Sequence, residues 1–204
     1  MRWLAFMRFC YAPAMTNRFA LAALLALLSA PAPAQAPKPD LVPVSIETEL
    51  GRIVVALDRG RAPATTANFL HYVDSGKLDG ESFYRAMPYG SGGLIQGGIT
   101  SDARKLTKPV AHEPVSQTGI SHKAGTISMA NLGPGTAKSD FFILTTDVPA
   151  FDASFAAFGQ VVEGMEVVKA ILASPVSPTR GEGPMKGQML EPAVKIVKAE
   201  RVEE

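Results

Sequence analysis

With 204 residues, 47% of them hydrophobic, and 20 Lys and Arg set against 19 Asp and Glu, the chain has the size and composition of one folded domain with extensions. That near-neutral balance gives no net electrostatic footprint for binding nucleic acid or an anionic membrane. A single cysteine, Cys10, excludes an internal disulfide, and His71, His112 and His122 lie too far apart in sequence for a ligand motif, so no metal and no cofactor is expected.

Residues 1–36 contain Arg2, Arg8 and Arg18 but no acidic residue, and positions 19–28 are unbroken apolar sequence. Ala34-Gln35-Ala36 fits a small-x-small cleavage pattern. A basic start, an apolar run of about 7–15 residues and such a site make a secretory signal peptide. The run is too short to span a bilayer, which takes about 20 apolar residues, and Pro31 and Pro33 keep it from extending. The expectation is a cleaved signal over 1–36 that sends the chain to a bacterial periplasm. Met15, ahead of Thr16-Asn17-Arg18, offers a second start with its own short basic region. Cleavage removes the arginines and Cys10, leaving residues 37–204 slightly acidic and long enough for one sizeable core.

Residues 37–43 hold Pro37, Pro39 and Pro43 and read as an extended leader, with the folded domain expected over 44–204. Val44, Ile46 and Thr48 alternate with Ser45, Glu47 and Glu49, as in a half-buried strand. Beyond Leu50-Gly51, positions 53–57 are apolar throughout, as in a strand buried on both faces, and the Gly-containing turn between the two predicts a hairpin. Pro63 opens a helix at the position where its missing N–H is harmless. Thr66, Phe69, Leu70 and Val73 keep helical spacing, and Gly76 ends the run. Short strands are predicted at 81–86, 94–96, 126–130, 141–145, 156–161 and 194–199. A second helix starts near Glu163, with Met165, Val168, Ile171 and Leu172 on one face, and stops before Pro175. The Gly-rich stretch 181–187 lacks the Gly-Lys-Ser/Thr ending of a phosphate loop and reads as a surface loop. Many strands, two helices and no strand–helix alternation predict a mainly β, antiparallel sheet or barrel in one domain.

Arg85 stands out chemically. It falls in an apolar strand segment, where an unpaired guanidinium is costly. By itself the pattern leaves three readings: an arginine paired to a carboxylate, one at a strand edge in water, or a functional cation. Gly97-Gly98 alone is a turn, and Phe142 alone is a core residue. Taken in order, however, five segments resemble the signatures of the cyclophilins, a family of peptidyl-prolyl cis-trans isomerases. They are Phe83-x-Arg85-x-x-Pro88, Gln96-Gly97-Gly98, positions 125–130 with Asn131 next, Phe141-Phe142-Ile143, and Phe158-Gly159-Gln160-Val161. The resemblance extends from about Val44 to Ala199. It implies a closed antiparallel eight-stranded barrel capped by two α-helices, a monomer, and proline-containing polypeptides as partners.

The resemblance also implies roles. Arg85 takes the place of the family's catalytic arginine, and Gln96 that of the glutamine that bonds both substrate and arginine. Ala130 and Asn131 would offer backbone contacts, Phe142 the floor of a proline pocket, and Leu94, Phe151 and Phe155 its walls. Rotation about an X–Pro bond faces a barrier of about 18–20 kcal/mol from amide resonance. A fixed cation near the prolyl nitrogen lowers it by favouring the twisted state, and arginine is always charged.

Four departures from the family pattern bear on this. Positions 89–93 lengthen the interval from Arg85 to Gln96 and read as a flexible insertion. They leave Gly93 where the family has a pocket phenylalanine, with Tyr89 as its possible substitute. Phe155 and Phe151 stand where histidine and leucine are usual, and Ala150 where many eukaryotic members carry a cyclosporin-contacting tryptophan. Asp140 replaces the glutamine before Phe141, within expected reach of Arg85. Three functions are open on these grounds: an exported isomerase assisting protein folding, a weakly catalytic module that binds proline-containing or unfolded chains, and a scaffold whose Arg85 is consumed by an ion pair.

Overall fold

The computed structural model describes residues 38–202, so the expected signal segment lies outside the described residues. β1 (Leu41–Thr48) and β2 (Gly51–Asp58) form the expected hairpin. β1 starts at Leu41 and not at Val44, because Leu41, Val42 and Pro43 already find partners in Asp58, Leu57 and Ala56. Asp40, just ahead of it, accepts a hydrogen bond from Arg59 Nε at 2.7 Å.

α1 (Pro63–Asp74) has proline in its first turn and no capping side chain of its own. Glu113 supplies the cap from outside. Its carboxylate accepts the backbone N–H groups of Ala64 and Thr65 at 3.1 and 2.8 Å and the Thr65 hydroxyl at 2.7 Å. This satisfies donors that a helix start leaves open and opposes the positive end of the helix dipole. Thr66, Phe69, Leu70 and Val73 are buried as expected, and Gly76 comes just past the helix end.

β3 (Ser82–Tyr89) and β4 (Gly92–Gly98) come next, then α2 (Val115–Thr118), a single turn with no counterpart in the sequence periodicity. β5 (Thr126–Met129), β6 (Phe141–Leu144) and β7 (Ala156–Glu163) lead to α3 (Met165–Leu172). β7 continues to Glu163, so α3 begins later than expected. Gly164 makes the turn at φ +84°, where a Cβ would fall 2.2 Å from the Arg52 carbonyl oxygen. The two-residue β8 (Val176–Ser177) and the long β9 (Met189–Arg201) complete the chain order.

All strand pairings are antiparallel, in the order β1-β2-β7-β5-β6-β4-β3-β9, and β9 pairs back onto β1 from Val44↔Arg201 to Thr48↔Ile196. The result is a closed eight-stranded barrel, with β8 attached to β9 outside the ring. Among the described residues there are three helices, not two. α1 packs on β2, β7 and β9, and α3 on β2, β3 and β4.

The main core joins every barrel strand to both long helices. Within it the Phe141 ring meets Phe69 and Phe83 edge-on, with centroids 5.1 and 5.5 Å away, and Phe69 also meets Phe158 at 5.3 Å. A second apolar cluster is built on Leu94, Phe142, Leu144 and Val148. Strand alternation divides the two: Phe141 and Ile143 belong to the main core, Phe142 and Leu144 to the second cluster. Phe141→Ala removes the ring that links Phe69 to Phe83 and should cost about 3–5 kcal/mol. Urea unfolding measures this as a lower midpoint at unchanged slope; a loss below about 1 kcal/mol would show that the site collapses around the cavity.

Candidate functional site

Simple alternation would put Phe83 and Arg85, two positions apart, on the same face of β3. A β-bulge prevents it. Phe83 pairs with Gly97 and Arg85 with the adjacent Gln96, so Tyr84 is the extra residue. Phe83 and Ala86 are buried in the main core, while Arg85 and Met87 line a groove with Leu94, Gln96 and Phe142.

The Arg85 guanidinium is half-buried and held by neutral acceptors. Its Nε and Nη2 both donate to Gln188 Oε1, at 2.9 and 2.7 Å, its Nη1 donates to Gln96 Oε1 at 2.9 Å, and its Nη2 approaches Met87 Sδ at 3.2 Å. Of its five N–H groups, one on Nη1 has no partner among the described residues. Burial pulls its pKa below the ordinary value, with the neighbouring Tyr84 opposing. Gln96 is fixed in turn by donating from Nε2 to the Tyr84 hydroxyl at 2.7 Å. Burial, with the charge of Asp140, pushes that hydroxyl well above its usual range, so it stays protonated. Gln188 is fixed by donating to the Pro184 carbonyl at 2.9 Å. No carboxylate pairs with Arg85 among the described residues, so its positive charge stands uncompensated.

The groove encloses about 280 Å³. The Phe142 ring meets Phe155 and Phe151 edge-on, with centroids 5.2 and 5.7 Å away, and those two rings lie 4.9 Å apart. His122 stacks on Phe142, its Nδ1 lying 2.7 Å from Asp152 Oδ1 and its Nε2 2.9 Å from Ser128 Oγ. An Asp–His–Ser alignment suggests acyl transfer, but His122 and Ser128 are both buried and no substrate can reach the hydroxyl. Burial pushes the imidazole down, outweighing Asp152, which leaves it neutral at neutral pH. The trio supports the aromatic floor. Among the described residues no three His, Cys, Asp or Glu side chains converge as metal ligands.

Arg85, Gln96, Leu94, Ala130, Asn131, Phe142, Phe151 and Phe155, scattered over the sequence, all line this one groove. The Ala130 N–H is engaged by the Asp140 carbonyl at 2.8 Å. The Asn131 side chain donates to the Ser154 carbonyl and accepts the Gly133 N–H, both at 3.0 Å. Met87 and Met185, which line the groove, and Gln188, which anchors Arg85, are residues that periodicity did not reveal. The stretch 181–187, expected as a plain surface loop, contains the 3₁₀ turn Gly183–Met185 that carries Met185 to the groove.

The expected flexible insertion at 89–93 is a tight hairpin instead: Tyr89 pairs with Gly92 across a two-residue turn. Tyr89 is about half-exposed and does not line the groove, so it does not replace the missing phenylalanine. Gly93 has no room for a side chain, since a Cβ would fall 2.2 Å from the Met87 carbonyl oxygen and 3.1 Å from Leu172 Cδ1. The Met87 side chain lines the groove in its stead. Asp140, expected to compete for Arg85, makes no hydrogen bond with it. Its Oδ1 is buried without a partner beside Gly98, where a Cβ would fall 2.1 Å from that oxygen.

Arg85 thus presents a charged fork beside a ring-floored apolar groove on a closed antiparallel barrel. Residues 43–201 match the family described as cyclophilin type peptidyl-prolyl cis-trans isomerase/CLD. The chain is 38% identical over 169 residues to peptidyl-prolyl cis-trans isomerase A of Dickeya dadantii, covering 76% of this chain and 84% of that protein. It is 35% identical over 143 residues to a peptidyl-prolyl cis-trans isomerase of Acinetobacter baylyi, covering 66% of this chain and 73% of that one. The crystal structure of a Cryptosporidium parvum cyclophilin type peptidyl-prolyl cis-trans isomerase superposes with a TM-score of 0.68 at 22% identity, over 81% of this chain and 99% of that one. The chain belongs to the cyclophilin-type peptidyl-prolyl cis-trans isomerases, a family of enzymes.

Burial raises the Asp140 carboxyl from 3.8 to about 6. Below pH 4 the group is protonated whether folded or unfolded and costs nothing. As pH rises from about 4 through 6, ionisation against burial lowers stability. Asp140→Asn should therefore be more stable than the parent at pH 8, by up to roughly 3 kcal/mol, with no advantage at pH 4. Thermal melts across that range decide it; an advantage independent of pH would mean the carboxyl is not the titrating group.

Proposed function

We propose that the protein accelerates cis-trans isomerisation of X–Pro bonds in exported polypeptides, with Arg85 as the cation that stabilises the twisted transition state. One observation carries this: Arg85 is oriented by two amide oxygens and neutralised by no carboxylate. A proline ring enters the groove over Phe142, between Leu94, Met87, Phe151 and Phe155. As the X–Pro bond turns, the nitrogen lone pair leaves the amide resonance and becomes a hydrogen-bond acceptor, and the remaining Nη1 N–H of Arg85 donates to it. Because the guanidinium is already fixed, it needs no reorganisation when that charge develops. Gln96 orients the flanking carbonyl together with the Asn131 backbone.

The alternative reading is a proline-binding module of low turnover. Its support is an open insertion at 90–93 and the missing pocket phenylalanine: the segment is paired as a hairpin, while Gly93 leaves the phenylalanine position without a ring and Met87 lines the groove. Arg85→Ala should lower kcat about 10²–10³-fold, the cost of removing one preorganised charge, with far less change in KM. Gln188→Glu keeps the anchor but adds a counter-charge, and should lower kcat at least about tenfold. Exchange NMR on a short X–Pro peptide measures both. Binding shifts without acceleration by the parent would establish the binding module.

The export half of the proposal rests on the basic start, apolar run and small-x-small pattern of residues 1–36. It places the enzyme in a periplasm as a monomer acting on proline-containing chains. Expression in a Gram-negative host should yield periplasmic protein whose N-terminus lies near Pro37; protein recovered only in the cytoplasm, with its first 36 residues intact, would refute it.

A further inference from the structure

A second cavity, of about 250 Å³, adjoins the proline groove and shares Gln96, Ala130, Asn131 and Leu132 with it. Its apolar wall is completed by Ile99 and Leu106. Most of its polar side chains already have partners: Gln96 holds Arg85 and Tyr84, Asn131 holds Ser154 and Gly133, and Thr136 caps the Leu132 N–H. Two have none: Lys138, exposed at the rim, and Asp140. The Asp140 carboxylate takes part in no hydrogen bond and no ion pair among the described residues, and Oδ1 is fully buried. An unpaired carboxylate in such a place is costly, and stays so until something positive meets it.

We infer that this cavity is a specificity site for a cationic substrate side chain, lysine or arginine, with Asp140 as its counter-charge. The inference rests on the proposed binding of proline-containing peptides in the adjoining groove. A long cationic side chain fits both halves of the site. Its methylene stem lies along Ile99, Leu106 and Ala130 while its charged head reaches the carboxylate. An extended peptide advances at most about 3.3–3.6 Å per residue, so the cationic residue sits within a few positions of the proline.

Other charges around the cavity do not supply the missing partner. Lys138 stands exposed at its rim, not paired with Asp140, and solvent screens it. Arg85 is turned to Gln188 and Gln96, and Lys105 is paired with Glu81 at 2.7 Å. Tyr84 stays protonated. The raised Asp140 carboxyl, titrating near 6, makes the cation preference dependent on pH.

The test is a panel of X–Pro peptides with lysine, norleucine or glutamate at each of the three positions before proline and the two after it. Exchange NMR gives kcat/KM on the full-length protein at pH 8 and pH 5. At one position lysine should exceed norleucine roughly tenfold at pH 8, the worth of a charge-assisted hydrogen bond, and glutamate should be the poorest. The lysine-to-norleucine ratio should fall toward one at pH 5, and should be near one at both pH values in Asp140→Asn. Because the readout is a ratio, a general effect of pH on the barrel or on His122 cancels. Equal acceleration of lysine and norleucine peptides at every position overturns the inference and leaves the isomerase standing. So does a lysine preference that survives in Asp140→Asn or persists unchanged at pH 5. If no peptide is accelerated or bound, the isomerase reading fails and this one with it.

Discussion

One extra residue in β3 determines what the outside of this barrel can do. Without the bulge at Tyr84, either Phe83 would leave the core or the Arg85 guanidinium would enter it, and each is costly. With the bulge, Phe83 keeps its edge-on contact with Phe141 and Arg85 joins the outer groove. The same residue then steadies what it has displaced, since the Tyr84 hydroxyl accepts from Gln96, which accepts from Arg85. Local irregularity, core packing and the placement of the cation are thus one arrangement. A change that straightened β3 would lose all three together.

The groove keeps its charges apart. Arg85 is anchored by amides, which hold a guanidinium in place without cancelling its field, while the carboxylate of Asp140 stays unpaired on the far side of Gln96. A salt bridge between them would satisfy both groups and would silence both. Folding carries the cost of leaving Asp140 buried and alone, as is common where a site is built for a partner that arrives later. The neutral His122 beneath the aromatic rings obeys the opposite logic. Both of its nitrogens have partners and nothing reaches it, so it serves packing.

Much of this was legible in the sequence. The eight barrel strands, the two long helices and the eight groove residues all emerge from periodicity together with the five family segments. What escaped depends on contacts between distant positions. Gln188 lies 103 residues from Arg85, and Glu113 caps α1 from 48 residues beyond Thr65. A glutamine in a Gly-rich loop carries no local signal of either partner. The bulge was hidden for another reason, because Phe-Tyr-Arg-Ala-Met is compatible with regular alternation on either face. The hairpin at 89–93 was misread because Gly-rich sequence fits a tight turn as well as an open loop.

Ring closure has a consequence for the order in which the molecule comes into being. β1 finds one of its two neighbours in β9, as when Ile46 meets Ala199 at the opposite end of the chain. A polypeptide emerging from its N-terminus therefore holds an unsatisfied strand edge at β1 until β9 has been delivered. Such long-range pairing makes folding slow compared with that of helical proteins. The anchor for Arg85 arrives in the same late stretch, at Gln188. The barrel seam and the Gln188 anchor of Arg85 are completed together, so a chain cut short before Gln188 has neither a closed wall nor that anchor.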